Sequence, residues 1–218
     1  MSRTISSRPP VDIFLVGAGI RPQLHITPES VQALRAVRTL YVLHGDPAVV
    51  EWASQFCRDT RDLSSEYSGE IQRATVYQKI ASVVLKRASS NPPVALLVHG
   101  HPLFLVSAVE MIISAARTRG LAALSLPGVS SFDTILCDLS IDLGYGVQLF
   151  DATSLIKNNW SVNPAVPLLI FQLANVCCPE VQRRPPKAGS VVPLVRFLRE
   201  WYPLHHKCFI VHSGMTLL

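Results

Sequence analysis

The chain has 218 residues, of which 49% are hydrophobic and 16% charged, and its formal net charge is +5. That length and apolar content suit a folded protein with a real core and exclude an intrinsically disordered chain. The basic residues are scattered, which favours acidic partners weakly and supplies no basic stripe with interleaved aromatics for nucleic acid.

Residues 1–10 are rich in Ser, Arg and Pro and lack an apolar h-region, so a flexible tail is expected rather than a signal peptide. Residues 11–16 form an apolar run ending in Gly17-Ala18-Gly19, the pattern of a buried strand entering a tight turn. Thr27-Pro28-Glu29 opens a helix, with Thr as N-cap, Pro at the first position and an acidic first turn. A strand at 40–43 and a short helix at 47–56 follow. Residues 71–87 read as an amphipathic helix with Val76, Ile80, Val83 and Val84 on one face. A third buried strand at 94–98 runs into His99-Gly100-His101-Pro102. The helix at 105–118 stops at Gly120, and a strand at 122–126 leads into Pro127-Gly128-Val129-Ser130-Ser131.

Beyond that turn a helix is expected at 132–139, strands at 146–150 and 167–172, a Pro-rich loop at 179–186, an amphipathic helix at 191–201 and a last strand at 208–212. Alternating strand and helix patterns predict an α/β fold. Two α/β lobes are expected, residues 11–124 and 125–218, with a cleft between them. The apolar runs are too short to span a membrane, and a soluble cytoplasmic protein is expected.

Five cysteines without CxxC spacing suggest free thiols in a reducing compartment, most of them buried. His99/His101 and His205-His206 lack carboxylate or thiolate partners at metal-site spacing, so no metal is expected. Gly17-Ala18-Gly19 invites a dinucleotide reading, but the third glycine of that fingerprint and the acidic residue about 20 positions on are missing. Two glycine turns after buried strands, at Gly100 and Gly128, make a better ligand signal than either alone. On the helix at 71–87, Arg73 falls in the centre of the apolar stripe with Tyr77 one turn on, and Tyr67 lies in the loop just before. By itself that pattern fits an arginine snorkelling at a helix edge beside a core tyrosine better than it fits a catalytic group.

Taken together, these elements resemble the tetrapyrrole-methylase-type (class III) S-adenosylmethionine-dependent methyltransferases. The residues carrying the resemblance are Val16-Gly17-Ala18-Gly19, Ile26-Thr27-Pro28, Gly100-His101-Pro102, Pro127-Gly128-Val129-Ser130-Ser131 and Phe171-Gln172-Leu173, in that order. Within the family the chain is similar to the borosin α-N-methyltransferases, which methylate backbone amides of ribosomally made peptides. Tyr67, Arg73 and Tyr77 match that branch's Tyr-x5-Arg-x3-Tyr constellation. Leu139-Ser140-Ile141-Asp142 and Asp151-Ala152-Thr153 match two later segments.

The resemblance implies S-adenosylmethionine as methyl donor, held in the cleft by His99, His101, Phe104, Ser131, Gln172 and Leu173, with Gly214 and Met215 as further candidates. It implies that Arg73 stabilises the amide oxygen while one of Tyr67 and Tyr77 takes the proton and the other orients the amide. A homodimer is expected from the family alone. His99 departs from the branch, which tends to have Tyr there. The chain also stops soon after residue 212 where family members continue, so the expectation is either a precursor peptide on a separate chain or a shortened form of the family's C-terminal lobe. Two other readings keep the scaffold: a methyltransferase for a tetrapyrrole or secondary metabolite, and a non-catalytic binding partner.

Overall fold

A computed structural model describes residues 10–67, 72–181 and 189–212. The expected tail up to residue 9, most of the Pro-rich loop, and Gly214 and Met215 lie outside the described residues. The chain divides into two compact units, one built from 1–67, 75–131 and 214–218, the other from 68–74 and 132–213.

The first unit is a parallel sheet with crossover helices. Its strands are β1 (Ile13–Gly17), β2 (Thr39–Leu43), β3 (Thr60–Asp62), β4 (Val94–Val98) and β5 (Ala123–Leu126), in the order β3-β2-β4-β1-β5. Parallel neighbours need long connections, which the helices α1 (Pro28–Ala36), α2 (Pro47–Ser54), α3 (Arg73–Ser90) and α4 (Ser107–Thr118) supply. β2 and β4 are buried at every position, as expected for a sheet covered on both faces. On one face Val16, Leu40, Val42, Ala95 and Leu97 pack with Leu34 of α1 and Val49 of α2. Residues of opposite parity, such as Ile13, Leu15 and Leu96, are fully buried too.

Local chemistry starts the helices where the sequence predicts. Thr27 accepts from the Ser30 backbone N–H at 3.1 Å ahead of Pro28, and Asp46 accepts from Ala48 at 2.9 Å ahead of Pro47. α3 buries Val76, Ile80, Ala81, Val84, Leu85 and Ala88, an arc of the helix that includes the direction of Arg73. Its end is fastened by Arg87, which donates to the Thr39 hydroxyl at 2.9 Å and to Asp59 at 3.1 Å.

The second unit holds α5 (Ser131–Leu139) from Phe132 on, the parallel pair β6 (Gln148–Asp151) and β7 (Leu168–Phe171), α6 (Ala152–Lys157) and α7 (Val192–Leu198). Its core is Ala152, Leu155, Val162, Val176, Leu194 and Phe197. Asp151 caps α6 by accepting from the Ser154 N–H at 2.8 Å.

Two sequence expectations fail. Residues 208–212 form no strand: Phe209 and Ile210 are 79% and 87% exposed, and no described segment offers them a ladder, without which β-propensity counts for little. Most cysteines are not buried either; Cys57 is buried and Cys178 half-buried, while Cys137, Cys177 and Cys208 are exposed. Cys137 sits on α5, which has no buried residue, and Cys177 occupies a left-handed turn at φ 53°.

The strands β1, β4 and β5 end in glycine turns that touch backbone to backbone. A Cβ on Gly128 would lie 2.6 Å from the Gly17 carbonyl oxygen and 2.7 Å from the Gly19 nitrogen. Alanine at Gly128 is therefore expected to lower unfolding stability by about 1–3 kcal/mol through overpacking. Alanine at Gly45, where an added Cβ meets nothing within 4 Å, serves as the neutral comparison in urea unfolding. Equal midpoints for the two variants would refute this account of the turns.

Candidate functional site

In parallel α/β sheets ligands collect outside the carboxyl ends of the strands. Here three loops are stitched together at that end. Ala18 donates to the Val98 carbonyl at 2.8 Å, and Gly19 and Gly100 exchange backbone hydrogen bonds at 3.1 Å in both directions. Ile26 forms an antiparallel bridge with Gly128, and Val129 donates to the His25 carbonyl at 3.3 Å. Gly19 and Gly100 have φ of 78° and 70°, conformations that only glycine adopts without strain.

Histidines surround these turns. His44 follows β2 and His99 follows β4, and because β2 and β4 are neighbours in register at Leu43 and Val98 the two rings meet. The His44 Nε2 lies 3.1 Å from the His99 Nδ1, with ring centroids 5.0 Å apart. His44 is 6% exposed, whereas His99 keeps an exposed edge. Burial holds both rings below the ordinary histidine pKa; at His44 the neighbouring His99 adds to this and Asp46 opposes it. His25 is lowered as well, by burial first and then by Arg21. The His25 Nδ1 accepts from the Arg21 backbone N–H at 3.2 Å, and the His101 Nδ1 from that of Leu103 at 3.1 Å. The side-chain Nε of Arg21 is buried without a hydrogen-bond partner among the described residues.

His99, His101, Phe104 and Ser131 thus belong to the turns after β4 and β5 in the first unit. Phe104 is half-buried and its backbone donates to the His101 carbonyl at 3.1 Å; Ser131 opens α5. Gln172 and Leu173 belong to the second unit. Gln172 is exposed at φ 64°, and Leu173 packs on that unit's core.

Tyr67 closes a 3-10 turn, Ser64–Tyr67, and its ring meets Tyr77 of α3 edge-on, with centroids 6.3 Å apart. Lys79 of α3 pairs with Glu66 and holds the turn there. Arg73, half-buried at the first position of α3, is bound to residues 178–179. Its guanidinium donates to the Cys178 carbonyl and its backbone N–H to the Pro179 carbonyl at 2.9 Å. Sequence reasoning missed Arg21, His25, His44 and these two carbonyls. His44 ends its apolar run just as His99 does, but the signal becomes readable only when the strand order makes them neighbours.

Taken as chemistry, the first unit presents imidazole and backbone donors at the carboxyl edge of a parallel sheet, the place where this class of α/β protein binds small ligands. Residues 12–212 match the family described as Tetrapyrrole (Corrin/Porphyrin) Methylases, and the chain belongs to that family. Solved structures show the same fold. Uroporphyrin-III-C-methyltransferase from Thermus thermophilus superposes with a TM-score of 0.54 at 19% identity, over 72% of this chain and 66% of that one. Diphthine synthase superposes with a TM-score of 0.56 at 18% identity, over 86% and 72%.

Among curated relatives, the chain is 30% identical over 166 residues to a methyltransferase/ribosomally synthesized type I borosin cyclic peptide precursor from Serendipita vermifera subsp. bescii. That match covers 75% of this chain and 41% of the relative. It is 26% identical over 214 residues to a type II borosin precursor methyltransferase from Phlebiopsis gigantea, covering 97% and 38%. The chain therefore spans about two fifths of the length of these relatives.

The histidine shifts set a pH dependence. With folded pKa values below the ordinary value of about 6.5, the folded state binds fewer protons than the unfolded one in that range. The stabilisation is complete above about pH 6.5 and is lost as pH falls through the lowered values. Urea midpoints are expected to hold steady from about pH 8 to pH 7 and to decline toward pH 5. Midpoints that rise on acidification would contradict the shifts.

Proposed function

We propose that the chain is an S-adenosylmethionine-dependent methyltransferase that methylates backbone amide nitrogens of a ribosomally made peptide supplied on a separate chain. The observation that carries this reading is the set of stitched glycine turns with their histidines at the sheet's carboxyl edge, in a chain whose relatives are named methyltransferase and borosin precursor together. The residues present fit such a ligand: the buried Arg21 Nε has no acceptor among the described residues, and glycine turns let backbone approach closely. His99, His101, Phe104, Ser131, Gln172 and Leu173 would hold the methyl donor, which when bound supplies an electrophilic methyl group.

An amide nitrogen is a poor nucleophile because its lone pair is delocalised into the carbonyl. Its reaction requires loss of the N–H proton while negative charge grows on the carbonyl oxygen. In this reading Arg73 donates to that oxygen. A guanidinium has five N–H donors in a planar fork, more than the Cys178 carbonyl takes up, and that carbonyl orients the fork. The oxygen of Tyr67 or Tyr77, acting as phenolate after giving its own proton to solvent, takes the amide proton and becomes a phenol, and the other ring, in edge contact with it, orients the substrate. Ordered contact between the two tyrosines and the Glu66–Lys79 pair fix one side of this apparatus before the peptide arrives. The enzyme acts as a homodimer in this reading, which sedimentation velocity reads directly.

Intact mass of a precursor peptide co-expressed with the chain tests the proposal. Mass increments of whole methyl groups, placed on backbone nitrogens by fragmentation, are the expected result. Arg73→Lys keeps the charge but loses the fork, and should slow methylation on the order of 100-fold or more. Tyr77→Phe should keep ligand binding and lose turnover. Unmodified peptide beside a protein that binds S-adenosylhomocysteine would move the substrate to a small molecule, and near-normal methylation by Arg73→Lys would remove the role given to Arg73.

A further inference from the structure

His44 is a buried polar side chain that no ligand reaches, because both its ring nitrogens are committed inside the protein. Its Nδ1 faces the Asp46 backbone N–H at 3.1 Å. A backbone N–H only donates, so that nitrogen is an acceptor and the ring proton sits on Nε2. The Nε2–H then points at the His99 Nδ1, 3.1 Å away, which must in turn accept. A neutral ring with Nδ1 accepting carries its own proton on Nε2. The chain of donors therefore runs from the backbone of the β2 turn, through His44, to the outer nitrogen of His99 at the β4 turn. Asp46, on the loop to α2, is the charged group that bears on His44, and the lowered pKa of both rings keeps the relay neutral near pH 7.

A phenylalanine would fill the space of His44 without a buried polar group to satisfy. The imidazole earns its place only if the orientation it imposes on His99 matters. We propose that His44 is a positioning residue that fixes His99 as the Nε2–H tautomer, so that His99 offers a directed neutral donor to an acceptor atom of the methyl donor bound at the Gly100 turn. The inference rests on the methyl-donor reading above. It assigns His44 no contact with the ligand. The same tautomer recurs nearby, since His25 and His101 also accept backbone N–H groups at Nδ1.

Long-range proton–nitrogen correlation spectra of the histidine rings in the intact protein at neutral pH read the tautomer without any ligand. His99 is expected as Nε2–H in the wild type and as a tautomer mixture in His44→Phe. His44→Gln should restore it, because a glutamine amide accepts with its oxygen and donates with its nitrogen. Calorimetry with S-adenosylhomocysteine gives the functional half: about tenfold weaker binding in His44→Phe, recovered in His44→Gln. A wild-type His99 protonated at Nδ1 overturns the inference, as does binding by His44→Phe equal to wild type. Should His44→Phe fail to fold, the wild-type spectrum and His44→Gln still decide. A wild-type protein that takes up no S-adenosylhomocysteine overturns the methyl-donor reading itself, a result distinct from binding that ignores His44.

Discussion

The backbone contact among Gly17, Gly100 and Gly128 is the constraint from which the first unit's carboxyl edge is built. A side chain at Gly17 would sit 2.5 Å from the Gly100 carbonyl oxygen and 2.6 Å from the Gly128 nitrogen. Nothing larger than hydrogen fits there, so three loops from β1, β4 and β5 close on one another as bare backbone. Because β1 lies between β4 and β5, the contact ties together three adjacent strands. Connecting loops are ordinarily mobile; here the exchanged bonds of Gly19 and Gly100 make these turns part of the sheet's end.

That closure places the histidines. His25, His99 and His101 ride on the stitched loops, and His44 reaches the same edge from β2, so each ring's Nδ1 is occupied by a protein donor. Desolvation at three of the four favours the uncharged ring, which leaves these imidazoles neutral hydrogen-bonding groups. Arg73 answers to a different constraint. It belongs to the second unit, and its guanidinium and backbone are both bound to the 178–179 segment, which sets the direction of the fork.

Much of this was legible in the sequence. Continuous apolar runs bounded by glycines located β1, β2, β4 and β5, and the Thr27-Pro28 pair located the start of α1, because buried parallel strands and helix caps have strong local signatures. The Tyr67–Tyr77 meeting followed from helical spacing with the preceding loop. What was not legible depended on pairing between distant segments. β3, at three residues, is too short to signal itself, and residues 208–212 carried strand propensity without a neighbour to pair with among the described residues. The His44–His99 contact needed the strand order, and the Arg73–Cys178 bond joins residues 105 positions apart. The exposure of Cys137, Cys177 and Cys208 depends on the helix face, left-handed turn and irregular segment that carry them, of which composition says nothing.

The central claim is that the glycine turns after β1, β4 and β5 form a methyl-donor site, and a crystal structure grown with S-adenosylhomocysteine tests it most directly. The account predicts ligand density against the Gly100–His101 turn, with a ligand acceptor within hydrogen-bond distance of the His99 Nε2. Ligand bound elsewhere, or a fully ordered Gly100–His101 turn left bare at saturating S-adenosylhomocysteine, would contradict it.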